Sequence, residues 1–457
     1  MKKIATEIFK AYDIRGIVAT QLTPATVEII GQVLGSIAIE KQVKGLVVGF
    51  DGRLTSPSLA ESMIRGILKS GCNVYEVGEV TTPMVYFANY ELKTFSGVMI
   101  TGSHNPPEYN GLKMVMAGET LSGDKIQQIR MRVEKKEVAT GSGIHYREDI
   151  REAYLNKIVG DIKLERRLSV VVDAGNGVAG KIAPLLYRRM GCKVLGLFCE
   201  VNGNFPNHHP DPSKPENLKD LVDALQTTDA EIGLAFDGDG DRLGVVTKEG
   251  NIIYPDRQMM LYAADILSKN PRAKIIYDVK SSRLLGKWIK EQNGEAIMCR
   301  TGHSYVKAKI KETGALLAGE MSGHIFFNDR WYGSDDGVYA GARLLEILAQ
   351  VDNPSELLNA LPNAVSTPEI NIEVSSEGEQ HRIIEKLQKS AKFEGSKEII
   401  TIDGLRVEYI DGFGLVRASN TTPVLVLRFE AETNSALKRI QDQFRNILSK
   451  YVKKVEF

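Results

Sequence analysis

A single theme occurs three times along this chain. Three apolar runs each end in an aspartate followed by small or polar residues: GLVVGFDGRLTSP from Gly45, SVVVDAGNGVAG from Ser169 and AKIIYDVKSSRLL from Ala273. About twenty residues beyond each aspartate a second run opens on glycine, at Gly71, Gly191 and Gly294, an interval that suits a crossover helix. A third run follows each pair and ends in a polar loop: GVMITGSHNP from Gly97, EIGLAFDGDGDR from Glu231 and GALLAGEMSGH from Gly314. Asp51, Asp173 and Asp278 are 122 and 105 residues apart, too far for a solenoid period but right for repeated α/β domains. Past Pro362 the theme stops. Short alternating strands with turn residues between them then predict a fourth, α+β domain closing on an amphipathic helix over Ser435 to Tyr451. The expected fold class is therefore α/β: three repeated α/β domains with mixed sheets, plus a C-terminal α+β domain. The expected boundaries are 1–150, 151–252, 253–364 and 365–457.

Composition narrows the function classes. The 457 residues carry 58 Lys and Arg against 58 Asp and Glu, so no charge excess points to a nucleic-acid partner. The longest apolar stretches, such as Gly45 to Phe50 or Leu344 to Val351, fall well below the ~18 residues a membrane span needs. No membrane partner is expected, and Met1 to Lys10 does not read as a secretory signal. The four cysteines, Cys72, Cys192, Cys199 and Cys299, lack CxxC spacing and are too sparse for a disulfide scaffold, which fits a reducing, cytoplasmic setting.

In open sheets ligands bind beyond the carboxyl ends of the strands, so the loops after the third run of each repeat are where chemistry is expected, in a central cleft. In DGDGDR, Asp237, Asp239 and Asp241 alternate with glycines and project to one side of a bend. Carboxylates that close repel unless a cation sits among them, and hard oxygen ligands suit Mg²⁺. Arg242, next in line, is placed to hold a substrate anion. In TGSHNPPEYNGLK, Ser103 sits in a loop whose exit is fixed by Pro106 and Pro107, and His104 and Lys113 are near in sequence to activate the hydroxyl. In GEMSGH, Glu320, Ser322 and His324 recur with period two and can face one pocket, where a carboxylate beside hydroxyls suits a sugar. In RASNTTP, Arg417, Ser419, Asn420, Thr421 and Thr422 put a cation, hydroxyls and turn amides within six residues, like a phosphate nest.

A rival reading comes from Gly175-Asn176-Gly177-Val178-Ala179-Gly180. It follows the strand VVVDA and matches GxGxxG, with Glu200 at the end of the next run. An NAD-dependent oxidoreductase is the alternative it suggests. That alternative explains neither DGDGDR nor Ser103, and the runs after Asp51 and Asp278 lack the glycines. A catalytically inactive sugar-phosphate sensor would keep the same pocket.

With TGSHNP, DGDGDR, GEMSGH and RASNTTP in this order, and FKAYDIRG near the start, the chain resembles the α-D-phosphohexomutase superfamily, and most the bacterial phosphomannomutase/phosphoglucomutase branch. The resemblance runs over essentially all of its length. It implies an isomerase that moves phosphate between O1 and O6 of a hexose through a phosphoserine and a 1,6-bisphosphate. Mg²⁺ is the implied cofactor, glucose 1,6-bisphosphate the activator, hexose phosphates the substrates, and a monomer the expected assembly. By the same resemblance Ser103 carries the phosphate and joins Asp237, Asp239 and Asp241 at the metal. Glu320 and Ser322 read the sugar, and Arg417, Ser419, Asn420 and Thr421 hold its phosphate. It further implies catalytic roles for Arg15, Lys113, Arg242 and His303, and substrate contacts for Tyr12, Lys280 and His324. Met321, in the middle of the sugar loop, favours dual mannose and glucose use over a phosphoglucosamine mutase.

Overall fold

The computed structural model describes residues 4–376, 378–420, 422–452, 455 and 457. Each repeat forms a sheet with one strand order. The strands that end in the landmark aspartates, Leu46–Phe50, Ser169–Asp173 and Lys274–Asp278, lie in the middle. Each is flanked in parallel by the second run, Val74–Glu79, Lys193–Leu197 or Glu295–Cys299, and by the third, Gly97–Ile100, Ile232–Phe236 or Leu317–Gly319. A fourth strand, Tyr109–Met116, Leu243–Thr247 or Ile325–Phe327, returns antiparallel beside the third. The sheets are therefore mixed. The sharp return after each third strand leaves a short loop at its carboxyl end, and those loops are TGSHNP, DGDGDR and GEMSGH.

The central strands read as near-continuous apolar runs because helices cover both faces of each sheet. Val47, Val48, Val170, Val171, Val172, Ile275 and Ile276 are all fully buried. One apolar core runs through all three repeats, joining Val47, Val85 and Met99 to Tyr154, Leu186 and Leu234 and on to Met260, Leu317 and Leu345. A core shared in this way makes the three units a single block.

The C-terminal unit is built differently. Strands Glu398–Ile400, Leu405–Glu408, Gly412–Ala418, Val424–Ala431 and Val365–Ser366 form an antiparallel sheet, with Ile370–Glu373 also paired to Val424–Ala431. Helices Glu379–Ser390 and Asn434–Leu448 close over its apolar face through Ile383, Leu387, Ile440 and Phe444, a core of its own. The last helix begins where Thr433 Oγ1 accepts from Ala436 N at 3.2 Å, and it ends three residues before the expected Tyr451. This unit meets the block chiefly through polar contacts. Arg406 donates to the carbonyls of Val279 and Ser281 at 2.6 Å each, and Arg428 to the carbonyl of Lys280 at 2.5 Å and to Asp256 at 3.2 Å. A small apolar contact of Val279 with Phe413 and Leu415, backed by Met298, accompanies them. No described helix is long and apolar enough to cross a membrane.

The GxGxxG stretch is a packing junction. A Cβ at Gly177 would lie 2.8 Å from the carbonyl of Gly238, and one at Gly180 would lie 2.3 Å from that of Cys199. Those glycines let the DGDGDR loop and the chain at Cys199 pass close. The aspartate that precedes them is also engaged, since Asp173 accepts from Gly175 N at 2.9 Å and pairs with His208 Nε2 at 2.9 Å.

Candidate active site

All four motif loops open into one cleft of about 1090 Å³. Ser103, Lys113, Arg242, Lys280, His303, Glu320, Ser322, His324, Arg417, Ser419 and Asn420 line it, with Tyr12 and Arg15 from the opening segment. Thr421 lies outside the described residues.

Ser103 sits at the floor, 1% exposed, with a backbone φ of +50° that serine seldom adopts. Its Oγ donates to Asp237 Oδ2 at 3.0 Å and lies 3.2 Å from His104 Nδ1. Burial, then Arg242 and Arg15, holds the His104 imidazole well below its usual pKa. Asp237, Asp239 and Asp241 are fully buried and bring carboxylate oxygens within 4.8 Å of one another. Burial, then the charges of Asp239 and Asp241, pushes the Asp237 carboxyl well up. Burial would raise Asp239 too, but the Lys113 ammonium outweighs it and holds that carboxyl below the usual range. Lys113 Nζ bridges Asp239 Oδ2 at 2.7 Å and Asp241 Oδ2 at 2.5 Å. Asp239 Oδ1 and Asp241 Oδ1 remain buried without a hydrogen-bond partner. Buried orphan oxygens on clustered carboxylates are the donor set a hard divalent cation takes, so the residues fit Mg²⁺.

Arg242 reaches across to the sugar loop, its Nε donating to His324 Nε2 at 3.0 Å. An accepting Nε2 requires the proton on Nδ1, and Nδ1 lies 2.9 Å from Asp335 Oδ2. Asp335 also takes Lys307 at 2.8 Å. His303 stacks on His324 with ring centres 5.7 Å apart, and burial, then Lys307, lowers its pKa well below the usual value. Glu320 Oε1 accepts from Gly302 N at 2.5 Å. Glu320, Ser322 and His324 share the pocket because they occupy a tight turn, closed by Glu320 N donating to His324 O at 2.9 Å, and not through strand alternation.

Three cleft cations are held by carboxylates that the sequence did not mark. Arg417 Nε donates to Asp403 at 3.0 Å, and Lys280 Nζ to Glu369 at 2.8 Å. Arg15 binds Asp13 and Asn105 at 2.5 Å each. Tyr12 crosses from the first unit to the fourth, donating to the carbonyl of Thr301 at 3.0 Å and receiving the Asn420 amide. Asp335, Glu369, Asp403 and Asp13 were missed because no local spacing marks them. Their partners are distant in sequence or, for Asp13, only two residues away.

Comparison with known proteins places this arrangement. Family models for phosphoglucomutase/phosphomannomutase match in chain order: α/β/α domain I over residues 6–140, domain II over 152–250, domain III over 254–365 and the C-terminal domain over 369–447. The chain belongs to the phosphoglucomutase/phosphomannomutase family. It is a phosphohexomutase, an isomerase. A phosphoglucomutase of Neisseria gonorrhoeae is 59% identical over 450 residues, 98% of each chain. A phosphomannomutase/phosphoglucomutase of Pseudomonas aeruginosa is 54% identical over 446 residues, 97% of this chain and 96% of that protein. The crystal structure of a phosphoglucomutase/phosphomannomutase family protein from Burkholderia thailandensis superposes with a TM-score of 0.94 at 54% identity, covering 98% of both chains.

Proposed function

We propose that this phosphohexomutase interconverts the 1- and 6-phosphates of glucose and mannose through a phosphoryl group carried on Ser103. The observation that carries this reading is the buried Ser103 Oγ, 3.0 Å from Asp237, in a cleft that Arg417 and Lys280 also line. One phosphate of a hexose bisphosphate meets the serine while the other meets those cations. In the forward half, the bond from phosphorus to Ser103 Oγ breaks and a bond to the free hexose hydroxyl forms, giving the 1,6-bisphosphate. The bisphosphate turns over, and Ser103 Oγ takes the other phosphoryl group.

Asp237, Asp239 and Asp241, with the Ser103 oxygen, are the residues that would hold Mg²⁺, which when bound supplies positive charge to the transferring phosphoryl group. Lys113 and Arg242 add fixed charge around it, and Arg15 orients the loop through Asn105. Lys113, paired to two aspartates, serves as a cation. His303 lines the cleft with a buried Nδ1 that no hydrogen bond engages among the described residues, and takes the proton of the hexose hydroxyl. Tyr12, Lys280 and His324 line the sugar, Glu320 and Ser322 read its hydroxyls, and Arg417, Ser419 and Asn420 grip the remote phosphate.

The test is a coupled assay on glucose 1-phosphate, mannose 1-phosphate and glucosamine 1-phosphate with Mg²⁺ and a trace of glucose 1,6-bisphosphate, the expected activator. Glucose and mannose differ only at C2, so Glu320→Ala should weaken both by similar factors. Turnover confined to the glucosamine ester, or a loss confined to one hexose, would contradict this reading.

The bisphosphate must turn over without escaping, so the C-terminal unit should open and close about the segment 361–367 that joins it to the block. Its polar, arginine-mediated seat resembles a transient interface and not a core. Arg417→Ala should raise KM for glucose 1-phosphate about 10- to 100-fold, the range for losing a charge-assisted contact. It should also abolish ligand-induced compaction in small-angle scattering. Equal compaction in wild type and variant would remove Arg417 as the closing contact.

A further inference from the structure

Arg53 is one of the largest fully buried side chains of the molecule, 1% exposed, and no step above uses it. A guanidinium taken out of water is costly unless its donors are met. Here Nη1 donates to the carbonyls of Pro106 at 2.7 Å and Tyr109 at 3.1 Å, and Nη2 to those of Ser103 at 2.8 Å and Asn105 at 2.6 Å. Nε faces Asp51 Oδ2 at 3.3 Å. Four inward-turned carbonyls of the serine loop thus converge on one side chain, and Phe205 of the second unit lies over its outer face at 5.2 Å.

Asp51 completes the frame on the other side of the serine. Its Oδ2 accepts from Thr101 Oγ1 at 2.7 Å and Gly102 N at 3.2 Å, and Thr101 Oγ1 in turn accepts from Ser103 N at 2.7 Å. The loop crosses the guanidinium so closely that a Cβ at Gly102 would lie 2.5 Å from Arg53 Cζ. The landmark aspartates of the other repeats anchor loops as well: Asp278 accepts from Met321 N at 3.2 Å and Thr301 Oγ1 at 3.0 Å. The position two residues after the aspartate separates the repeats, being Arg53, Gly175 and Lys280. Only the first turns a cation beneath its own loop.

We propose that Arg53, seated on Asp51, is a positioning residue that fixes the left-handed backbone of Ser103 and so aims Oγ for phosphoryl transfer. The proposal rests on the reading of Ser103 as phosphoryl carrier. A lysine keeps the charge but not the planar fork that serves two pairs of carbonyls. In Arg53→Lys, kcat should fall about 100-fold, the scale of a misplacement near 1 Å. KM for glucose 1-phosphate should stay within about threefold, because the substrate-side residues are untouched. Amide hydrogen exchange should quicken over residues 101–109 and nowhere else in the block. Gly102→Ala, which presses on the guanidinium without removing it, should give the same split and keeps the test decisive if Arg53→Lys does not fold. A residue that only supports the fold would lower thermal stability and leave kcat per folded molecule unchanged, and that result overturns the proposal. Ser103→Ala is run beside these variants. Wild-type turnover there would overturn the carrier reading and this inference with it, whereas wild-type turnover in folded Arg53→Lys beside an inactive Ser103→Ala overturns the inference alone.

Discussion

Ser103→Ala should lower kcat by roughly 10⁴-fold or more, because a relay that loses its acceptor atom has no second route at that site. A second hydroxyl bonded to the clustered aspartates is that of Thr82, whose Oγ1 is bonded to Asp239 Oδ2. Thr82 is fully buried and does not line the cleft, whereas Ser103 does. The variant should fold like wild type, since the Ser103 side chain gives up two hydrogen bonds, to Asp237 and His104. Intact-mass analysis after incubation with glucose 1,6-bisphosphate should show one added phosphoryl group on wild type, mapped to the peptide holding Ser103, and none on the variant. Turnover within tenfold of wild type, or phosphate mapped elsewhere, would displace Ser103 from the reaction.

The threefold theme was legible because strands buried on both faces must be apolar along their whole length, and because each ends on an aspartate at a domain-scale interval. The shared strand order follows from that. The loops were legible as chemistry because Asp237, Asp239 and Asp241 have no structural reason to be packed so closely. What stayed hidden is what depends on three-dimensional return. Arg53 stands in plain view in DGRLTSP, yet nothing local says that its side chain turns under residues 103–109, fifty positions on. The Asp335–His324–Arg242 chain links three segments; His324 and Arg242 were legible as pocket residues, but nothing local joined them to each other or to Asp335. The glycines of the second repeat left room for the rival reading for a related reason: a close backbone approach demands them whether the neighbour is a pyrophosphate or, as here, the carbonyls of Gly238 and Cys199. Sequence shows that something comes close, but not what.

The aspartates of DGDGDR should be alike in activity and unlike in stability. Asp237→Asn, Asp239→Ala and Asp241→Ala should each cut Mg²⁺-dependent turnover by about 10³-fold or more, since each removes an oxygen from the group that would hold the cation. With EDTA present the variants should separate. Lys113 is 4% exposed and its ammonium is met by Asp239 and Asp241, so deleting either leaves a buried cation half-paired, a loss of about 3 kcal/mol. Asp237 is outside that bridge. Its carboxyl is pushed up by burial and by the other two charges, while its Oδ1 accepts from the backbone of Asp241 and Arg242 at 3.1 and 3.2 Å. An asparagine keeps that acceptor and removes the repulsion, so Asp237→Asn should melt at or above wild type in EDTA. Thermal melts of the three variants with EDTA and with Mg²⁺ measure the contrast, and wild type alone should gain stability from the cation. Equal melting temperatures for all three variants in EDTA would mean that Lys113 is not held by its two partners. Full stabilisation by Mg²⁺ in every variant would move the cation away from these carboxylates.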